Sequence, residues 1–254
     1  MIYGLYLSAT GVITTSHQQD VIANNLANAE TSGFKRNLAL QQQRQVESQV
    51  LRTAGVRNPL LDSIGGGQLL APTYTDFTQG SLESSSSNFD TAVIGSGFIG
   101  VRDANNEMRL TRNGAMMLDR NGKLITAQGH SVVDTDKNPI RIQGYQQSQL
   151  SIGKDGTISA GQLVLNKIGL FDATDPQALK PVGQNLIKLT GDQASLVPAK
   201  GSLQAFVTER ANVDPTTELT RLMETQRLLE ANANMIKYQD QTLGKLVSEV
   251  GKIS

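Results

Sequence analysis

Asp214-Pro215 opens the stretch DPTTELTRLMETQRLLEANANMIKYQDQTLGKLVSEVGK, residues 214–252, on which the reading of the fold turns. A capping carboxylate stands directly before a proline at the first helical position, so the helix start is well specified. Beyond it Leu222, Leu229, Ile236, Leu243 and Val250 recur every seven residues, with Leu219, Ala233 and Val247 on the neighbouring track. That repeat predicts a coiled-coil seam. Polar Gln226 and Asp240 interrupt the second track, which weakens a simple two-stranded zipper and favours a register fixed against a specific partner. At about 1.5 Å per residue, Pro215 to Lys252 runs roughly 55 Å, longer than a small domain is wide, so the helix is expected to protrude.

The other end of the chain has similar character. From residue 5 to residue 29 there is no proline, and Leu5, Ala9, Val12, Ile22, Leu26 and Ala29 fall on one helical stripe. A polar stretch, Thr14 to Asp20, interrupts that stripe, and Gly33 after Thr31-Ser32 supplies a helix stop. Between the two arms lie hairpin signals at Asn113-Gly114, Asn121-Gly122 and Asp155-Gly156, each flanked by short apolar segments. Residues 36–69 are rich in Gln and include Gly65-Gly66-Gly67, which reads as a helical extension passing into a flexible connector. The predicted fold is α+β: an N-terminal helical arm over 1–35, the extension and connector over 36–69, a central all-β domain over 70–210 and a C-terminal helical arm over 211–254, with the two long terminal helices forming a coiled-coil-like arm.

The 254 residues carry 23 Lys plus Arg against 23 Asp plus Glu, so no global field points to nucleic acid, an anionic membrane or an acidic ligand. Aromatics are 4% and charged residues 18%, which leaves Ser, Thr, Asn and Gln to cover much of the surface, as on a surface that packs against other protein. The absence of cysteine excludes a disulfide framework, a thiolate metal site and a cysteine nucleophile, and is compatible with life outside the cytoplasm. The first twenty residues lack a basic n-region and a small-x-small cleavage site, so no cleaved signal peptide is expected. No apolar run approaches the roughly 20 residues that span a bilayer, so no membrane insertion is expected.

Sequence patterns that invite chemistry are thin. Gly95-Ser96-Gly97-Phe98-Ile99-Gly100 matches the dinucleotide pattern, but a phosphate site needs those glycines to open a helix, and Val101 to Asn106 reads as strand then turn. Gly122-Lys123 and Gly244-Lys245 are both followed by Leu, so no nucleotide-phosphate loop is present. His17 and His130 stand in different zones without a ligand at metal spacing. Asp119, Asp134, Asp136 and Asp155 lie in or near turns, where Asp is favoured for local hydrogen bonding. Basic residues form no stripe interleaved with aromatics. No catalytic, cofactor-binding or metal residue is expected, and the chain is read as a non-enzyme.

The arms have an ordinary reading, as two amphipathic helices packed on each other. Each large apolar residue contributes roughly 1.5–3 kcal/mol when buried, while an isolated helix is marginal in water. Helices of unequal length with apolar positions on more than one track leave apolar surface exposed if paired only with each other. Neighbouring subunits are the expected cover.

Asp20-Val21-Ile22-Ala23-Asn24-Asn25-Leu26-Ala27-Asn28, followed by Thr31, Gly33, Phe34 and Lys35, closely resembles the N-terminal signature of flagellar basal-body rod and hook proteins. Asn212-Val213-Asp214-Pro215 with Glu218-Leu219, Met223, Gln226-Arg227 and Glu230-Ala231-Asn232 is similar to the second signature of that family. Gln79-Gly80-Ser81-Leu82, Gly97-Phe98, Leu110 to Gly114 and Asn121 to Leu124 look like its β domain. A hook subunit normally carries a further outer β domain, and only residues 36–211 separate the two signatures, so the resemblance implies a rod protein. The reading leans to the proximal type over the distal.

The resemblance implies a structural subunit exported by the flagellar type III apparatus without a cleaved signal peptide. It would assemble with copies of itself and with other rod and hook proteins into the shaft that crosses the periplasm, within surrounding ring proteins. The terminal arms would form an inner helical layer and the β domain an outer one. The expected assembly residues are Leu5, Val12, Ile22, Asn24, Asn25, Leu26 and Asn28 on the first arm, and Leu222, Leu229, Ile236, Leu243 and Val250 on the second. The rival readings are a secreted β-rich binding module on a coiled-coil stalk and a peptidoglycan-acting enzyme.

Overall fold

The computed structural model describes residues 2–43, 67–191 and 195–250. The chain divides into two compact units: a helical unit of Met1–Ala27, Asn37–Tyr74 and Asp214–Ser254, and a β unit of Asn28–Arg36 and Thr75–Val213. An N-terminal helix, a central β-rich domain and a C-terminal helix make an α+β fold.

The helical unit is built on helix α1, Ile2–Ala27, and helix α2, Pro215–Val250. The polar stretch Thr14–Asp20 does not break α1. Thr14 and Thr15 are buried there and return their hydroxyls to the preceding turn, to Thr10 O at 3.0 Å and Gly11 O at 2.7 Å. A hydroxyl satisfied in this way loses little by leaving water. The start of α2 follows its sequence signal: Asp214 accepts from the Thr216 amide at 3.0 Å and from the Thr217 hydroxyl at 2.7 Å. Over 36–69 a helical extension was expected, but the described residues are extended, with strand Gln41–Gln43 antiparallel to strand Gln68–Leu70. β-bonding satisfies this Gln-rich backbone as fully as a helix would, and Gln41 Nε2 donates to Gln18 Oε1 on α1 at 3.1 Å. Residues 44–66 lie outside the described residues, Gly65 and Gly66 among them.

In the β unit one sheet runs in the order Leu179–Gly183, Leu186–Leu189, Met108–Thr111, Phe98–Arg102, Ser131–Val132, Leu124–Thr126, Met116–Leu118. Leu170–Ala173 joins it through Phe98–Arg102 and carries Leu196–Pro198 on its far side. A three-stranded sheet, Leu150–Ile152, Thr157–Ala160 and Leu163–Lys167, packs through Leu150, Ile152 and Ile158 into the main core with Phe89, Ile99, Leu124 and Ile140. Asn121-Gly122 and Asp155-Gly156 close hairpins between paired strands, with Leu118 opposite Leu124 and Ile152 opposite Ile158. Asn113-Gly114 does not. The strands on either side of it pair elsewhere, and the buried Gly114 carbonyl accepts from the Thr91 amide at 3.0 Å, so the dipeptide makes a chain crossing in the core.

The sequence joining the last β strand to α2 also belongs to the β unit. Ala211 and Val213 pack with Ala29 and Phe34 in a small apolar cluster. Both ends of the β unit are thereby tied together.

Candidate functional site

On α2 the least exposed positions after the first turn are Leu222, Thr225, Leu229, Asn232, Ile236, Gln239 and Leu243. They alternate in steps of three and four and make one stripe. That stripe faces α1. A Cβ added at Gly11 would lie 2.9 Å from Asn232 Nδ2, and one at Gly4 would lie 2.8 Å from Gln239 Nε2. Each step of seven along α1 matches a step of seven back along α2, so the helices are antiparallel. Two further steps of seven along α1, and two back along α2, Asn25 donates to Glu218 Oε2 at 3.4 Å, in the same register.

The inner face of α1 is accordingly small and polar: Gly4, Ser8, Gly11, Thr15 and Gln18, then Ile22 and Asn25. Glycine inside a helix costs about 0.5–1 kcal/mol relative to alanine. Here the missing side chains leave room for the amides of Asn232 and Gln239. Gln239 Oε1 is buried without a hydrogen-bond partner among the described residues. The seam therefore pairs leucine and isoleucine positions with polar ones that contribute little net burial.

Asn25, 1% exposed, closes one end of this pair. Its side-chain amide imitates a backbone pairing: Asn25 Nδ2 donates to Asn37 O at 2.8 Å and Asn25 Oδ1 accepts from Asn37 N at 2.9 Å. Glu218, also 1% exposed, accepts from Asn25 and from Arg221 NH1 at 3.2 Å. The Asp214 carboxyl at the start of α2 is held below its ordinary value by the Thr217 hydroxyl first and the Thr216 amide second.

Of the residues expected to mediate assembly, Ile22 and Asn25 are buried, Leu5, Val12, Leu26 and Asn28 are half-buried, and Asn24 is exposed. Leu222, Leu229, Ile236 and Leu243 are half-buried on the stripe toward α1. Val250 ends α2, and its side chain lies outside the described residues. The second track was expected at Leu219, Ala233 and Val247. The structure turns it outward: Leu219 is 48% exposed and Val247 73%, and the inward track is Thr225, Asn232 and Gln239. The glycines opposite explain the choice, because they accept amides where leucines would not fit. With Met223, Met235 and Tyr238 also exposed, α2 presents large apolar side chains to solvent, while exposed Leu228 borders α1 in a groove lined by Leu7, Gly11 and Gln18. Gly4, Gly11, Asn232 and Gln239 were missed in the sequence, although their spacing of seven was there to be read.

Within the β unit, Lys35 of the N-terminal signature meets Glu209 at 2.6 Å, and Arg112 meets the other carboxylate oxygen at 3.4 Å. All three side chains are at most 4% exposed. Lys35 Nζ also donates to Thr78 O at 2.6 Å, Gly80 N donates to Glu209 Oε1 at 2.9 Å, and Arg112 NH2 donates to Gly95 O at 2.8 Å. Burial pulls Lys35 and Arg112 below their ordinary values, against the pull of Glu209. Lys35 and Arg112 fall in stretches that carry the family resemblance, but their meeting with Glu209 could not be read from residues so far apart along the chain.

Gly95 and Gly97 sit between strands Thr91–Ile94 and Phe98–Arg102, Gly100 lies within the second, and no helix follows them. A Cβ at Gly97 would lie 2.3 Å from Ala199 Cβ. Asp119, Asp134 and Asp155 accept amide hydrogens of their own turns. His17 lies 3.5 Å from the Thr73 hydroxyl and His130 lies 3.1 Å from Gln184 Oε1. Among the described residues no three His, Cys, Asp or Glu are grouped to hold a metal, and no helix is long and apolar enough to cross a membrane.

Three family models match the chain: flagella basal body rod protein over residues 5–35, the flagellar hook protein FlgE/F/G D1 domain over 92–160, and the flagellar basal body rod FlgEFG protein C-terminal region over 203–249. The chain is 32% identical to the flagellar basal-body rod protein FlgG of Buchnera aphidicola subsp. Acyrthosiphon pisum, across 97% of this chain and 99% of that protein. It is 30% identical to the rod protein FlgF of Caulobacter vibrioides across 98% of each, and 29% identical to FlgG of Borreliella burgdorferi across 96% and 97%. A helical pair framed by the two matched terminal regions, a β domain carrying the third, and similarity along nearly the whole length place the chain in the flagellar basal-body rod protein family.

Proposed function

We propose that the chain builds the flagellar rod through the outward surface of its helical pair, and that it has no catalytic role. It is a structural subunit of the basal-body rod. The observation that carries the assembly reading is the division of labour on α2. Its polar-and-leucine stripe is spent on α1, while Leu219, Met223, Met235 and Tyr238 stand exposed, large apolar side chains that the pair leaves for neighbours to cover.

In this reading the pair works as a coiled-coil-like arm. Leu5, Val12, Ile22, Leu26, Leu222, Leu229, Ile236 and Leu243 hold its two helices, Asn25 fixes its end, and exposed Asn24 joins the outward residues in meeting neighbours. Those neighbours are copies of this chain and other axial proteins of rod and hook, with ring proteins around the shaft. Delivery is through the flagellar type III apparatus without a cleaved signal peptide. The test is Met223→Glu combined with Tyr238→Glu. Far-ultraviolet circular dichroism of the purified variant should match wild type, while basal bodies lack the protein and the cells lose motility. Motile cells with normal basal bodies would overturn the assembly role of this face.

A further inference from the structure

Phe206 joins strand Ser202–Ala205, which pairs with Thr91–Ile94, to strand Val207–Glu209, which pairs with Leu82–Ser84. At this change of partner its backbone adopts φ 61°. Glycine or asparagine is the natural occupant of such a position, and a bulky side chain there is strained. Its carbonyl accepts from the Ser85 amide at 2.8 Å, a backbone role that any residue would fill. The ring meanwhile stands 53% exposed. Neither the turn nor the local packing accounts for an aromatic residue here. Strain and exposure both burden the free subunit, and a partner that buries the ring offsets both.

The same unit contains a cleft of about 990 Å³ between residues 118–123 and 141–147. Leu118 and Tyr145 give it apolar surface, and Arg120, Lys123 and Arg141 line it as cations without an ion pair among the described residues. Its one carboxylate, Asp119, is occupied by the Arg120 amide and the Asn121 side chain. Cations beside apolar surface suit an aromatic ring accompanied by a carboxylate. A carboxylate stands two residues along the same ladder, where Glu83 pairs opposite Thr208. Glu83, on the strand paired with Val207–Glu209, is 62% exposed, and its 3.7 Å contact with Arg210 is the kind of surface pair that contributes little.

We propose that Phe206, with Glu83 along the same ladder, docks into the cleft between residues 118–123 and 141–147 of a second copy of this chain. The contact joins two different patches, so it runs head to tail and leaves each copy a free patch for the next, as a helical array requires. It rests on the rod reading and adds to it a contact between β domains.

A photoreactive phenylalanine analogue at position 206 of the full chain, irradiated in flagellated cells, tests this in purified basal bodies. The expected product is a cross-link to 118–123 or 141–147 of another copy. Cross-links elsewhere on a copy, cross-links to a different protein, or none from a chain that is present in the basal body would overturn the proposal. Absence of the chain from basal bodies would instead remove the rod reading, and the proposal with it. Phe206→Gly and Phe206→Asn, which suit the backbone, should leave the free subunit's melting temperature unchanged or higher and lower its incorporation about tenfold. A fall of more than about 4 °C in both variants would make Phe206 an ordinary core residue.

Discussion

Glu209 holds two buried cations with one carboxylate, and that imbalance orders the consequences of mutation. Removing the carboxylate leaves Lys35 and Arg112 uncompensated, so Glu209→Gln should destabilise the β unit by about 3–5 kcal/mol. Lys35→Met leaves one cation for one carboxylate, and the Thr78 carbonyl keeps the Asn212 side-chain amide at 3.2 Å, so it should cost less. Urea unfolding followed by near-ultraviolet circular dichroism measures both, and the reverse ranking would show that Glu209 is not the hub of the cluster. Asp214 offers a second residue-scale test. Its folded-state pKa lies below the ordinary 3.8, so its stabilisation of α2 is fully present above 3.8 and is lost as pH falls through the lower folded value. Asp214→Asn caps without titrating, and should therefore remove part of the acid-induced loss of helix. Identical acid curves for the two proteins would mean that the cap is not formed in solution.

At the scale of the element, the sequence showed that both arms are helices but misassigned the inward face of one. A search for apolar residues every seven positions finds Leu222, Leu229, Ile236 and Leu243, and then adds Leu219, Ala233 and Val247 as their companions because those are apolar too. The structure chooses Thr225, Asn232 and Gln239, and the reason lies on the other helix, in Gly4 and Gly11. A helix face read alone cannot supply that, since the fit depends on what stands opposite. The Asn113-Gly114 turn was misread for a related reason: its residues suit a hairpin, but the long-range pairing of Thr91 with Gly114 places them in a crossing. Asn25, in contrast, stood out in the sequence through the family signature, while its reciprocal pairing with the Asn37 backbone did not. If Gly11 is small to admit Asn232, the two positions are coupled. Gly11→Leu should destabilise the subunit, and Asn232→Ala should relieve part of that loss, with a coupling energy of about 0.5–3 kcal/mol in a double-mutant cycle. Additive effects would separate the two residues.

For the whole molecule, the two units differ in what holds them together, and this sets how each should behave outside the rod. The β unit buries Phe89, Val93, Ile99, Val101, Leu124, Val132, Ile140 and Ile158 at 0% exposure in one continuous cluster. Each contributes roughly 1.5–3 kcal/mol of burial. The helical pair offers no comparable core: its inner stripe alternates half-buried leucine and isoleucine with Thr225, Asn232 and Gln239, and the facing residues of α1 include two glycines. Ordering a residue costs about 1–2 kcal/mol of backbone entropy, and long helices with a half-polar seam offset that poorly without further neighbours. The free subunit should therefore stay monomeric in dilute solution and open its helices far more often than its sheets. Hydrogen exchange on the purified chain is the measurement. Amides of residues 2–27 and 215–250 should exchange quickly, and those of residues 91–133 should remain protected to the global unfolding limit. In purified basal bodies the helical segments should become protected as neighbouring subunits cover Met223, Met235 and Tyr238. Equal protection of helices and sheet in a verified monomer would sink this prediction, because the pair would then be stable on its own polar seam and would need no neighbour to order it.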